Sequence, residues 1–288
     1  MNEKAIVATD LSDASLFMVK HVFHLHALHI TSIILLQCPD YSEIASDVFP
    51  YIASLQEDML EKQKEILIAS NFKVEVRISP GNAAHEINRV AVELDINLVV
   101  VGSMGHSLIT GALLGGVAQS VMLHTSKPLL IMRLLLNEEG QLTCFSDSLI
   151  NHVLFCTDFS ENSFAAFDSF LVLMSSGEVK KVTILHVIGD KQINYHGRDS
   201  LHDITTIVSQ RLSVMKQRVK SVGVRNVEIS VHHAKVNSHI VDFIQKEGVT
   251  LTVLSMRGTS FMKELLATSV SQYVAHHSPS SVLLLPKN

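Results

Sequence analysis

The chain repeats itself once, and that repeat constrains the fold more than any other feature. Ile6-Val7-Ala8-Thr9-Asp10-Leu11-Ser12-Asp13-Ala14-Ser15 returns 148 residues later as Leu154-Phe155-Cys156-Thr157-Asp158-Phe159-Ser160-Glu161-Asn162-Ser163. Both read as an apolar run followed by Thr-Asp-x-Ser-acid-x-Ser. Asn97–Gly105 returns as Thr250–Gly258, and Val117–Val121 as Val270–Val274, both at a distance of 153. Each half closes on an apolar run, Pro128–Leu134 and Ser281–Leu285. Matches in the same order at a period of about 150 residues describe a duplicated domain rather than a solenoid of short repeats. The boundaries read as 1–138 and 149–288, joined by the polar stretch Asn137–Ser148.

Within each half, short β-rich runs alternate with longer helical patterns. The first half predicts strands near 4–9, 31–38, 73–78, 97–102 and 128–134, and helices near 13–29, 43–70, 82–95 and 115–125. The second half predicts strands near 151–157, 180–188, 226–232, 250–255 and 281–285, with helices between. The strands are Val/Ile/Leu-rich without polar alternation, which is the pattern of burial on both faces. Such strands separated by helices make βαβ units and a parallel sheet. The expected fold class is α/β, two tandem Rossmann-like domains, each a five-stranded parallel sheet with helices on both faces.

Composition removes several alternatives. With 47% hydrophobic and 18% charged residues the chain is not disordered, and 13 Gly and 6 Pro in 288 residues exclude a collagen-like or low-complexity chain. Apolar runs such as Leu94–Gly102 and Leu129–Leu136 stop far short of a membrane span. The amino terminus has an early acid and no long apolar stretch, so no secretory signal is read. Three dispersed cysteines, Cys38, Cys144 and Cys156, fit a reducing cytoplasmic location without a disulfide framework. Residues 1–138 carry 9 Lys/Arg against 15 Asp/Glu, and the remainder 14 against 13. Neither half has the basic stripe that binding to nucleic acid requires.

Chemistry is expected where strands end, because ligands of open parallel sheets bind beyond the carboxyl ends of the strands. Ser12 and Ser160 are placed to cap the helices that follow them. Asp10 and Asp158, just past the first strand of each half, can accept from a ribose hydroxyl or a base amino group, or can fix the turn. Gly102-Ser-Met-Gly105, then nine residues, then Gly115-Gly116-Val117, brackets a strand end and a helix start. Glycine lets backbone N–H groups approach an anion, and a helix N-terminus adds unpaired donors and a positive dipole end. The pattern reads as a phosphate cradle, with tight turns as the competing reading. Met104 and Met256 sit in these loops as rim contacts. There is no Walker loop, no GxGxxG after the first strand, no kinase signature and no GxSxG elbow. Sixteen histidines include His21, His24, His26 and His29 in one predicted helix, but no acid or cysteine completes a metal set at ligand spacing.

At these residues the chain resembles the universal stress protein family in its tandem two-domain form. The family loop Gly-x2-Gly-x9-Gly-(Ser/Thr) is met by Gly102, Gly105 and Gly115, and Thr157-Asp158-Phe159-Ser160-Glu161 matches the family opening. Leu36-Gln37-Cys38 and Leu185-His186-Val187 match the end of its second strand. The resemblance implies binding of ATP or AMP, with Mg2+ as an optional companion. Ala8, Thr9 and Asp10 would line the adenine and ribose side, and the Cys38 backbone the adenine edge. Val101, Gly102, Gly105, Gly115, Gly116 and Val117 would hold ribose and phosphates. The second half offers Cys156, Thr157, Asp158, Val187, Leu254, Ser255, Gly258, Thr268, Ser269 and Val270. The resemblance also implies pairing of the last strands within one chain, and a homodimer.

Departures rank the two halves. Gly116 stands where the family has a hydroxyl, so only its N–H is offered. In the second half Ser255 and Thr268 replace two glycines, although Ser269 keeps the hydroxyl. A Cβ where close approach or positive φ is needed costs about 1 kcal/mol or more. The first half is therefore expected to be the better nucleotide site, although Arg257 and Lys263 put cations only in the second. The leading expectation is a nucleotide-binding stress or regulatory protein without catalysis. The alternatives are a slow ATPase using Asp10 or His106 with Mg2+, and an interaction scaffold.

Overall fold

The computed structural model describes residues 3–41, 49–104, 114–144, 146, 148–175, 178–189, 201–256 and 269–287. The chain divides into two compact units, Met1–Cys144 and Phe145–Asn288. The first runs β1 (Glu3–Thr9), α1 (Asp13–His21), β2 (Ile30–Gln37), α2 (Phe49–Ala69), β3 (Lys73–Ile78), α3 (Ala83–Glu93), β4 (Leu98–Gly102), α4 (Gly116–His124) and β5 (Leu129–Met132). Its strands lie in the order β3-β2-β1-β4-β5, and every pairing is parallel. The strand order reverses between β1 and β4, which is where a parallel sheet opens a crevice at its carboxyl edge.

The second unit repeats the plan with β8 (His152–Cys156), α5 (Glu161–Met174), β9 (Lys181–Ile188), α6 (Leu201–Ser221), β10 (Val227–His233), α7 (Val236–Lys246), β11 (Leu251–Ser255), α8 (Val270–His277) and β12 (Ser281–Leu285). Its order is β10-β9-β8-β11-β12, again all parallel. Each unit is a Rossmann-like α/β sandwich with one helix pair on each face. In the first unit α1 packs on α2 and α3 on α4; in the second α5 packs on α6 and α7 on α8.

Burial explains the strands. Val99, Val100 and Val101 of β4 and all five residues of β8 are buried, as strands covered on both faces must be. The edge strand β3, Lys-Val-Glu-Val-Arg-Ile, is only partly covered, and its charges keep a bare ladder from templating aggregation. Each fully buried aliphatic side chain of this kind, such as Ile6 or Leu35, contributes about 1.5–3 kcal/mol.

Two segments differ from the sequence expectation. The helix predicted over 13–29 stops at His21, and Val22–Leu28 continues as a 3-10 helix ending on His29 at φ 64°. Val22, Leu25 and Leu28 are all buried, and a three-residue spacing keeps one face only when the turn tightens to three residues. The stretch read as a plain linker holds a small antiparallel hairpin, β6 (Leu135–Leu136) with β7 (Leu142–Thr143). Its turn is closed by Asn137 Oδ1, which accepts from Glu139 N at 3.1 Å and Gln141 N at 2.8 Å, and Gly140 supplies the positive φ. Among the described residues no helix is long and apolar enough to cross a membrane.

Candidate functional site

The Thr-Asp-x-Ser motif is a chain of local hydrogen bonds that turns a strand into a helix. Thr9 Oγ1 accepts from Leu11 N at 3.0 Å, Asp10 Oδ1 from Ser12 N at 3.0 Å, and Ser12 Oγ from Ser15 N at 3.2 Å. The second unit repeats all three through Thr157, Asp158 and Ser160. The corner holds the intervening residue left-handed, Leu11 at φ 64° and Phe159 at φ 58°. A side chain in that region costs roughly 1–2 kcal/mol, which the three bonds offset. Nothing in the residue types signalled this, because glycine is the usual occupant. The two acids differ in commitment. Asp10 Oδ1 also accepts from the hydroxyls of Ser12 and Ser15, both at 2.5 Å, whereas Ser163 Oγ of the second unit turns to Thr157 Oγ1 at 2.8 Å.

Beside this corner a cleft of about 190 Å³ opens at the carboxyl ends of β1, β2 and β4. Ala8, Thr9, Asp10, Cys38, Val101, Gly102, Gly115, Gly116 and Val117 line it together, with Met104 in its wall. Gly105 and His106 lie outside the described residues. Sequence reasoning missed Ser15, Leu36, Ala83, Ile87 and Ala118, which helix packing and the face of β2 bring in. Ala83 and Ile87 belong to α3, so the cleft faces the α3/α4 layer.

The glycines serve space rather than backbone conformation. None of Gly102, Gly115 and Gly116 has positive φ, and Gly115 sits at φ −67°. A Cβ on Gly102 would stand 3.0 Å from the Met104 carbonyl, while one on Gly116 would meet nothing within 4 Å. Gly115 is the N-cap of α4 and provides no side-chain cap, so among the described residues no side chain takes up the first-turn N–H groups. Ser103, fully buried, staples this loop. Its carbonyl accepts from Gly115 N at 2.9 Å, and its hydroxyl accepts from Leu134 N at 3.0 Å. That role was not legible between two conspicuous glycines. Burial, and next the Glu86 carboxylate, push the Cys38 thiol up to about 11, so it stays protonated at neutral pH.

In the second unit Cys156, Thr157, Asp158, Val187, Leu254, Ser255, Ser269 and Val270 occupy the matching strand ends and helix start. Gly258, Thr268, Arg257 and Lys263 lie outside the described residues. Ser269 spends its hydroxyl on capping α8, accepting from Gln272 N at 3.2 Å while Gln272 Oε1 accepts from Ser269 N at 3.3 Å. Among the described residues no group of three or more His, Cys, Asp or Glu side chains is placed to hold a metal ion.

Comparison with known proteins completes the description. A curated universal stress protein of Methanocaldococcus jannaschii is 26% identical over 155 residues, covering 46% of this chain and 96% of its own. The solved structure of a universal stress protein from Archaeoglobus fulgidus superposes with a TM-score of 0.74 at 20% identity, covering 99% of this chain and 98% of that one. A protein of unknown function from Pseudomonas aeruginosa shares the fold at a TM-score of 0.61 and 12% identity, covering 99% and 93%. The model of the universal stress protein family matches residues 1–133 and again 150–286. The chain belongs to the universal stress protein family, with the family domain present twice.

Proposed function

We propose that the first unit binds an adenine nucleotide, ATP or AMP, and that the protein acts as a nucleotide-dependent regulatory protein of the stress response. The observation that carries this reading is the convergence on one cleft of Ala8, Thr9, Asp10, Cys38, Val101, Gly102 and Gly115–Val117. Residues implied separately by the family resemblance are drawn from four chain segments. The uncapped start of α4 is suited to phosphate, because its N–H donors and dipole favour an anion. Val101, Leu36 and Ile87 are suited to the faces of a base.

The reading is of binding without turnover. Hydrolysis needs a base or nucleophile. In the cleft, Asp10 Oδ1 is committed to Ser12 and Ser15, and the Cys38 thiol is held protonated. In the second unit Ser255 replaces the first glycine and Ser269 is spent as a helix cap, so the nucleotide is assigned to the first unit.

The test is heat release of small molecules from freshly purified protein, identified by mass spectrometry and counted per chain, with Gly116→Trp run in parallel. The expected result is a single adenine nucleotide per chain, absent from the variant. Two per chain would overturn the assignment to the first unit alone. None, with no binding of added ATP or AMP, would overturn the reading as a whole.

A further inference from the structure

The second unit has a cavity that the nucleotide reading does not use. It lies against the opposite helix layer from the cleft of the first unit, between the β8–α5 corner and α6. Its volume is about 290 Å³, and its walls include Phe159, Ile204, Ile207 and Val208, with Asp158, His186 and Arg211 as its polar groups. The face follows from strand register. Leu36 of β2 and Cys38 just past its end line the first unit's cleft, so Gln37 projects to the other side, and His186 is its counterpart in β9.

His186 is only 6% exposed, and its Nδ1 donates to the Thr157 carbonyl at 2.7 Å. A carbonyl only accepts, so Nδ1 carries the proton and Nε2 is the lone-pair nitrogen. Burial pushes this imidazole below its ordinary range, which keeps the ring neutral. Nε2 has no hydrogen-bond partner among the described residues. Phe159, held in the left-handed corner, covers one face of the imidazole with ring centroids 4.7 Å apart.

Two arginines one heptad apart on α6 make a useful contrast. Arg218 lies over the Phe167 ring at 5.3 Å and donates to Asp168 at 2.7 Å. Arg211 lies over the Phe159 ring at 5.5 Å and makes no ion pair among the described residues. One guanidinium is neutralised and the other stands at the cavity with its carboxylate-matching fork uncommitted. Asp158 and Arg211 are both exposed at the rim, so Asp158 repels a second negative charge on the ligand only modestly, through solvent.

We propose that the second unit binds a small aromatic monocarboxylate in this cavity, with its ring against Phe159, Ile204 and Ile207, its carboxylate on Arg211, and a hydroxyl or N–H of the ligand donating to His186 Nε2. The site is separate from the nucleotide cleft and does not rest on it.

The experiment is calorimetric titration of the full chain with para-hydroxybenzoate, benzoate and inorganic phosphate. Para-hydroxybenzoate is expected to bind and benzoate to bind about fivefold more weakly, the loss of one hydrogen bond to His186 Nε2. Phosphate is expected neither to bind there nor to compete. Arg211→Gln should weaken para-hydroxybenzoate about tenfold. Ile207→Trp should abolish its binding by filling the cavity from a side chain that is 52% exposed, leaving the fold intact. His186→Phe should erase the difference between the two acids; if that variant fails to fold, the other two decide the matter. Gly116→Trp should leave acid binding unchanged. The proposal is overturned if neither acid binds at millimolar concentration or if Ile207→Trp binds as well as the wild type. It is overturned equally if phosphate alone binds at Arg211, or if AMP displaces the acid by direct competition.

Discussion

Behind β1 the first unit packs Val7, Val19 and Val22; behind β8, at the positions 148 residues later, the second packs Phe155, Phe167 and Phe170, and all six are fully buried. The phenylalanines form one cluster, with Phe155 centred 5.1 Å from Phe167 and 5.0 Å from Phe170. One backbone plan thus holds two packings that differ by three aromatic rings. The strand ends diverge in the same way. The first unit keeps its glycines and opens toward α3 and α4, while the second spends Ser269 on capping α8 and opens toward α6. The lesson is that a duplicated sandwich tolerates replacement of its interior and relocation of its opening, provided that the Thr-Asp-x-Ser corner is kept.

The comparison can be broken most forcefully at the cores. Phe155→Ala is expected to cost about 3–5 kcal/mol in urea denaturation of the second unit, against about 2 kcal/mol for Val7→Ala in the first. Equal costs would mean that the aromatic cluster is no tighter than the aliphatic one. Next is Gly116→Trp, expected to weaken adenine nucleotide binding at least about hundredfold, or about 2.7 kcal/mol, with thermal stability unchanged because its Cβ meets nothing within 4 Å. Retained binding would move the nucleotide to the other unit. Asp10→Ala is expected to cost about 1 kcal/mol more than Asp158→Ala, since Asp10 alone accepts from two serine hydroxyls at the corner. Ser12→Ala and Ser160→Ala should each cost about 1 kcal/mol, a matched pair whose inequality would show that the corners are not equivalent.

The finest distinction is in acid. At the start of α3, hydrogen bonds from Arg89 and then Ser79 hold the Glu86 carboxyl at about 2, well below its ordinary 4.5. The folded state prefers the carboxylate there, so that stability is complete above about pH 4.5 and is lost as pH falls toward 2. The counterparts of Ser79, Glu86 and Arg89 in the second unit are His232, His239 and Asp242. Burial, above all, pushes His232 below its ordinary 6.5, and likewise His152 and His186. A depressed imidazole favours the neutral folded form, so its contribution is complete above about 6.5 and is drawn down as acid protonates the unfolded chain first. Protection against hydrogen exchange, relative to the intrinsic rate at each pH, should therefore fall between about pH 7 and pH 5 in β8–β10 before β1–β3. Simultaneous loss of protection would remove the histidines as the cause.

Much of this was legible in the residues. The inner strands announced themselves as short apolar runs, the edge strands β3 and β10 alternate polar residues instead, and the Thr-Asp-x-Ser and glycine spacings marked one edge of the sheet. What stayed hidden depends on tertiary contact. The tightening at Val22–Leu28 carries no glycine or proline, only a three-residue rhythm of buried side chains. Ala83 and Ile87 reach the cleft because α3 packs there, and no motif includes them. Ser103 looks like filler until its carbonyl is seen to hold Gly115. The cavity of the second unit required knowing which face of β9 His186 takes, a matter of register.

The hairpin at Leu135–Thr143 also has a mechanical consequence. Its paired ends lie about 5 Å apart, whereas the same segment drawn straight spans nearly 30 Å, so folding it back stores roughly 20 Å of slack beside the junction. A ladder of two residue pairs is weak in isolation. Under tension applied across Leu135 and Thr143 it should yield before the longer strand ladders do. Opening it would lengthen this segment without breaking a single pair of either parallel ladder, as a fuse gives way ahead of the circuit it protects.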